Sequence, residues 1–511
     1  MRSTRSTRLA AAFFLGFVPF TAAALYDIVI ETNYGKIQGY PAFNSAPRGN
    51  LTNWRDITPA SPWNTTLDAK SFGNICPSAT SGGNGYTIDE DSLNLNIWSA
   101  ANSTDANLPV VLWSYPAMST AADALFDGGG MADKGVVYVN YNYRTGSLDW
   151  LAHPELNEEF AAVTGSNSSG NWGMLDQFAA LKWVHANIAA FGGDPDSITV
   201  MGQSAGSAAT QHMLNSPLTK GLIAGAIIES GVRDPHDPLC TSLAEGYNTL
   251  ENAVSQGLNY TASKNVSTIA EMRQLPMDDL IESLQTFGSS SEWSFTATLD
   301  YYAMPDTYYN TLIKGAANDV PIITGNTKDE SGASYGLNIS VSEYHEDLKE
   351  TYSGNWSTEF LALYSASNST RASGAYNSQF TDRSKVGTWL WAELWATTAE
   401  SPVYTYIWDH APPGQDQGAY HESEINYVLN NLYGTDLPWT EEDYAIAAKM
   451  NGYWVNFIKH GNPNGDNLPE WPAATSDELV QHVGNGWSSI PVASHAKVAL
   501  YKSWFSSLPA Y

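Results

Sequence analysis

The stretch ITVMGQSAGSAA (Ile198–Ala209) decides the fold. Ile198–Gly202 is short, β-branched and apolar, the signature of a buried strand, and SAATQHML opens a helical pattern directly behind it. Between them Gly202-Gln203-Ser204-Ala205-Gly206 spells G-x-S-x-G. A serine on so tight a strand-to-helix turn needs small flanking residues. Its hydroxyl then projects at the carboxyl end of the strand, where the new helix aims backbone N–H groups. The motif alone is weak, and its position between strand and helix is what makes it specific.

Working outward, strands are expected at Leu93–Trp98, Pro109–Trp113, Gly135–Tyr143, Ala224–Ser230 and Pro321–Asn326, with a helix over Met174–Phe191 ended by GGDPDS. Strands alternating with helices predict an α/β fold: a central, mostly parallel twisted sheet with helices on both faces. Residues 245–315 read as helical and loop insertions, not as a second domain.

A hydroxyl nucleophile needs a base, and the base an orienting acid. On a strand–G-x-S-x-G–helix frame the chain order is serine, acid, histidine. TGNTKDESG offers Asp329 and Glu330 in a loop after the strand PIIT, and GAYHESEINYV offers His421 in a polar loop. His410 in WDHAPP is the second candidate base, whereas His185 and His212 fall in helical patterns. No His/Cys spacing suits zinc, so neither a metal nor another cofactor is expected.

The 511-residue chain has a formal net charge of −29, which argues against nucleic acid and anionic membranes as partners. Residues 1–24, with three arginines, an apolar run from Leu9 to Phe20 and Ala22-Ala23-Ala24, read as a secretory signal peptide. Residues 25–511 then form one domain. Nine Asn-x-Ser/Thr sequons, at Asn50, Asn64, Asn102, Asn167, Asn259, Asn265, Asn338, Asn355 and Asn368, fit a secreted glycoprotein. Cys76 and Cys240 are the two cysteines, and spacing does not say whether they pair.

The motifs together resemble the type-B carboxylesterase, lipase and cholinesterase family of α/β-hydrolases. The resemblance rests on EDSLNLNIW, LPVVLW, VNYNYR, WLAHPEL, GNWGMLDQFAALKWVHANIAAFGGDPDSITVMGQSAGS, IIESG, IITGNTKDESG, YHESEINYV and WVNFIKHGNPN. It implies an α/β-hydrolase fold with Ser204 as nucleophile, Glu330 rather than Asp329 as acid, His421 as base and Ser230 as a buttress of the triad. It further implies an oxyanion hole from the amide of Ala205 and two amides of a loop after LPVVLW. That loop carries Gly-Gly-Gly in the family and Pro116-Ala117-Met118 here. By position the donors are Ala117 and Met118, and Pro116 replaces an amide that is not needed. The glycines of FDGGGM align with a different family stretch. In the family, cysteine stands where Ser92 does here, paired to the position of Cys76.

The expected activity is that of a secreted serine carboxylic-ester hydrolase working through an acyl-enzyme on an uncharged, bulky or aromatic ester. Tyr115, Met118, Trp293 and Phe295 are candidate pocket residues, and Trp389, Leu390, Trp391 and Trp395 are expected in the core. Two alternatives go with the altered loop: the same triad turned to acyl transfer or another reaction on a small metabolite, or a non-catalytic binding protein of the same fold.

Overall fold

The computed structural model describes residues 29–511 apart from 34, 39–63, 78–84, 243, 282–292, 294, 466, 475 and 476. The expected signal peptide and Asn50 therefore lie outside the described residues.

The main sheet has nine strands, numbered here in chain order: β1 (Leu95–Trp98), β2 (Leu108–Ser114), β3 (Val137–Tyr141), β4 (Gly193–Gln203), β5 (Gly225–Glu229), β6 (Ile322–Thr327), β7 (Val403–Trp408), β8 (Leu479–Val483) and β9 (Ser488–Pro491). Across the sheet they run β9-β8-β7-β6-β5-β4-β2-β3-β1. Every pairing from β3 to β8 is parallel, and only the edge strands β1 and β9 are antiparallel. Parallel strands are covered on both faces, so they read as continuous apolar runs without alternation. Val110, Val111, Leu112 and Trp113 are accordingly all buried.

Five helices matter for the site: α1 (Trp172–Asn187), α2 (Ala205–Asn215), α3 (Leu250–Ser263), α4 (Ser369–Trp395) and α5 (Glu441–His460). Strand parity shows that both faces are covered. In β7, Tyr406 points to one face and meets Trp454 of α5 at 5.3 Å between ring centroids. Its neighbour Ile407 points to the other face and joins the cluster of Val386, Trp389 and Leu390 from α4. Trp389, Leu390, Trp391 and Trp395 are all buried, as core residues.

Three expectations needed adjustment. β4 begins at Gly193, so GGDPDS enters the strand early, and its register against β2 slips between Leu108 and Val110. The expected helix over Met174–Phe191 starts at Trp172 and tightens into a 3₁₀ turn over Ile188–Phe191. Strands β7, β8 and β9 were not anticipated. Residues 245–315 hold α3, short helices at Ile269–Met272, Met277–Ile281 and Tyr308–Lys314, and one short parallel pair, Asn248–Thr249 with Thr298–Leu299. Cys76 and Cys240 are both buried.

Candidate active site

The elbow explains its own glycines. Ser204 leaves β4 at φ 55°, ψ −117° and caps α2. A Cβ on Gly202 would sit 2.2 Å from the Gly206 carbonyl oxygen, and one on Gly206 would sit 1.9 Å from the Ser114 carbonyl oxygen. Either contact is far inside van der Waals range. The turn therefore closes only with glycine at both places, and the loop after β2 lies directly against it. The Ser204 N–H donates to the Glu229 carbonyl at 3.0 Å, tying the elbow to β5.

Acid and base meet in two loops that are laced together. Asp329 and Tyr420 form an isolated parallel bridge, the Asp329 N–H donates to the Ala419 carbonyl at 3.0 Å, and the Ala419 N–H donates to Asp329 Oδ2 at 2.8 Å. Asp329 thus serves the lacing, and the next residue faces the histidine. Glu330 Oε2 lies 2.5 Å from His421 Nδ1, and Glu330 Oε1 accepts from the Thr327 N–H at 2.9 Å. No motif marks that amide as a partner of the acid. The second candidate base is engaged elsewhere: His410 Nε2 meets Asp443 and Nδ1 meets Asn485, each at 2.9 Å.

Electrostatics reinforce the Glu330–His421 pair. Burial alone would lower the imidazole's basicity. The Glu330 hydrogen bond and charge, with Glu424 and Glu422 behind, outweigh it and lift His421 to about 9. Burial pushes the Glu330 carboxyl up, but His421, Arg233 and the Thr327 amide more than offset this and hold it below the usual value. His421 keeps a side-chain exposure of 40 %, so its ring remains reachable from solvent.

The loop after β2 takes up a backbone that its missing glycines would have favoured. Met118 adopts φ 67°, the left-handed region a glycine would favour. The residue is 48 % exposed, so its side chain is not crowded and the cost left is the local one of a Cβ in that region. Tyr115 anchors the loop from beneath. It stacks on Tyr143 at 4.6 Å, and the Tyr143 hydroxyl donates to the Tyr115 carbonyl at 3.0 Å. With 1 % exposure Tyr115 presents almost no surface to a ligand, so the expectation that it lines the pocket gives way to a supporting role. Ala205 begins α2, and its N–H has no acceptor within the helix. The triplet of FDGGGM is spent on packing: a Cβ on Gly128 would meet the Tyr138 ring, and one on Gly130 would meet the Leu429 and Asn430 carbonyls.

Ser230 is buried at φ 52° behind β5, its N–H donating to the Gly325 carbonyl at 2.8 Å. Trp293 and Phe295 stand edge-on to Tyr260 of α3, at 5.5 and 5.1 Å, and are partly buried in the insertion. Sequence reasoning passed over Gln203, whose amide nitrogen lies 3.4 and 3.5 Å from the two ring nitrogens of His421. Its place beside the nucleophile was the available signal. Among the described residues no group of three or more His, Cys, Asp or Glu is arranged to hold a metal, and no helix is long and apolar enough to cross a membrane.

Comparison with known proteins agrees with this geometry. The sequence model of the carboxylesterase family matches residues 42–488. Fumonisin B1 esterase of Sphingopyxis macrogoltabida is 30% identical over 505 residues, covering 92% of this chain and 89% of that protein. Para-nitrobenzyl esterase of Bacillus subtilis (strain 168) is 29% identical, covering 87% and 92%. A solved structure titled PNB esterase superposes with a TM-score of 0.72 at 25% identity, over 93% of this chain and 99% of that one.

Proposed function

The chain belongs to the carboxylesterase family, and from that premise we propose a secreted serine esterase that works through an acyl-enzyme on an uncharged, bulky or aromatic ester. Ser204 Oγ attacks the ester carbonyl while His421 takes its proton, and Glu330 holds the ring and stabilises the imidazolium. The tetrahedral oxyanion is received by the amides of Ala205, Ala117 and Met118, and Ser230 supports the elbow from behind. The alkoxide leaves with the proton from His421. Water, activated by the same ring, then releases the acid.

The observation that carries this reading is the 2.5 Å contact of Glu330 with His421 beside an elbow serine at positive φ. The preference for uncharged esters is supported by the chain's formal net charge of −29, which disfavours an anionic substrate. A relative named for para-nitrobenzyl esters fits the aromatic preference. Secretion is supported by the eight sequon asparagines that are described, all of which are exposed.

The test is a serine-directed organophosphonate followed by peptide mapping. A covalent adduct on Ser204 of the folded protein, absent from S204A, is the expected result. No adduct would sink the hydrolase reading and leave a binding protein of this fold. A panel of acyl-chain lengths and aryl esters then ranks substrates, and an electrophoretic shift on deglycosylation of the exported protein checks secretion.

A further inference from the structure

The turn that carries His421 is fixed at one end by the bridge of Tyr420 to Asp329. Its other end is held by a side chain that the chemistry above does not use. The Ser423 N–H closes the turn by donating to the Tyr420 carbonyl at 3.0 Å. Ser423 is buried, and its hydroxyl oxygen accepts from the indole N–H of Trp408 at 2.9 Å. Trp408 is the last residue of β7 and is fully buried. Its ring lies 4.8 Å from that of Tyr427, in the short helix Ile425–Leu429 that follows the turn. Its carbonyl accepts from the Lys328 N–H at 2.8 Å, two residues before Glu330. One residue at the end of a sheet strand thus holds the acid segment through its backbone and the base segment through its side chain.

The turn has a physical need for this second fixed point. Glu422, directly after the base, stands at φ 79°, a region that a residue with a Cβ enters only at a cost. Such a conformation persists only where its surroundings over-determine it. Two contacts do so here, the lacing upstream of His421 and the indole bond downstream. The lacing keeps the ring beside Glu330, but a turn held at Tyr420 alone could pivot there and change the distance from the ring to Ser204. The indole bond opposes that pivot, because moving Ser423 away would leave a buried N–H without an acceptor.

We propose that Trp408 and Ser423 are a positioning pair, whose bond fixes how far His421 reaches towards Ser204. Both act through the backbone of the turn. Proton transfer from the serine is sensitive to such placement, and a shift of about 1 Å caused far from the reacting atoms can cost about a hundredfold in rate.

The inference rests on His421 as the base, and its test includes a readout that needs no activity. S423A removes the acceptor, W408F removes the donor, and the double variant removes both. S423A should lower kcat by about tenfold to a hundredfold while KM stays within about twofold. The double variant should fall no more than about twofold below the more damaged single variant, because all three lose the same bond. Losses that multiply in full would overturn the proposal. The acid limb of kcat/KM against pH should keep its midpoint in S423A. Burial lowers the imidazole's basicity, the Glu330 bond and charge lift it to about 9, and the lacing behind that contact is untouched. An unchanged kcat would overturn the proposal, and so would a limb displaced by about one unit or more, which would mean that the bond holds the ion pair together and does not set its reach. Circular dichroism checks folding, and if W408F does not fold, S423A alone decides. The independent readout is the indole proton resonance of Trp408, identified by its loss in W408F. It should move upfield and exchange faster with solvent in S423A, and a resonance that S423A leaves in place would overturn the proposal. An inert wild type whose indole proton responds as expected would count against the esterase reading alone.

Discussion

The elbow at 202–206 and the loop at 115–118 lie against each other, and each holds a non-glycine residue at positive φ: Ser204 at 55° and Met118 at 67°. They reach that state by different means. At the elbow, glycine is imposed by crowding, because carbonyl oxygens occupy the space a Cβ would need at 202 and 206. In the loop the backbone twist alone favoured glycine, and Met118 faces solvent while the tyrosine pair below fixes the chain. A glycine kept by sterics is irreplaceable. One kept only by φ can be exchanged at about 1 kcal/mol if the side chain has somewhere to go.

The largest effect should come at the elbow. S204A should lower kcat by about 10⁶ while leaving the unfolding transition in place. A residual rate within tenfold of wild type would show that the serine is not the nucleophile. pH separates the two regions next, since the loop amides do not titrate and the base does. With His421 lifted to about 9, the neutral ring becomes the majority form only above that pH. Rate measurements should find kcat/KM climbing about tenfold per unit below it and levelling beyond. For stability the sign is the reverse. A raised folded value contributes fully below about 6.5, the unfolded value, and is lost as pH rises through about 9, which denaturant midpoints across that window would record.

G206A attacks the crowding itself. It should cost about 3 kcal/mol or prevent soluble folding, because its methyl group would meet the Ser114 carbonyl. Y143F tests the support under the loop. It leaves the Tyr115 carbonyl short of a donor, so about 1–3 kcal/mol of stability and about tenfold in kcat should go. The smallest effect should be M118G. Relief of the left-handed backbone and the added freedom of glycine nearly cancel, so stability should stay within about 1 kcal/mol. M118V, β-branched at the same φ, should be visibly worse by thermal melt, and parity between the two would refute the distinction drawn between the regions.

Much of the sheet was legible because its central strands are buried on both faces and therefore written as unbroken apolar runs. The three strands nearest one edge were not. VYTYIW in β7 mixes tyrosines and threonine into a strand that still buries every residue, and β8 and β9 are short, with Gln481 and His482 in the one and two serines in the other breaking the apolar pattern. The serine, acid and histidine could be named because each sits in a local motif. The fate of the oxyanion loop could not be read, since whether a methionine tolerates positive φ depends on the space its side chain is given. The row of Gln203, Glu229 and Tyr406 was also hidden, because its members lie on three strands far apart in the chain and only the register brings them into one line.

The lacing of Asp329 to Ala419 and Tyr420 bears on how this site would come apart. Two hydrogen bonds and a bridge join the segment carrying the acid to the segment carrying the base, so any displacement of one drags the other along. The ion pair they hold would travel as an intact cassette, and the seam left to open runs between that cassette and the serine turn. Exchange of the Asp329 and Ala419 amides with solvent deuterium would then occur in a single joint event, and the enzyme could lose its alignment without ever exposing an unpaired charge.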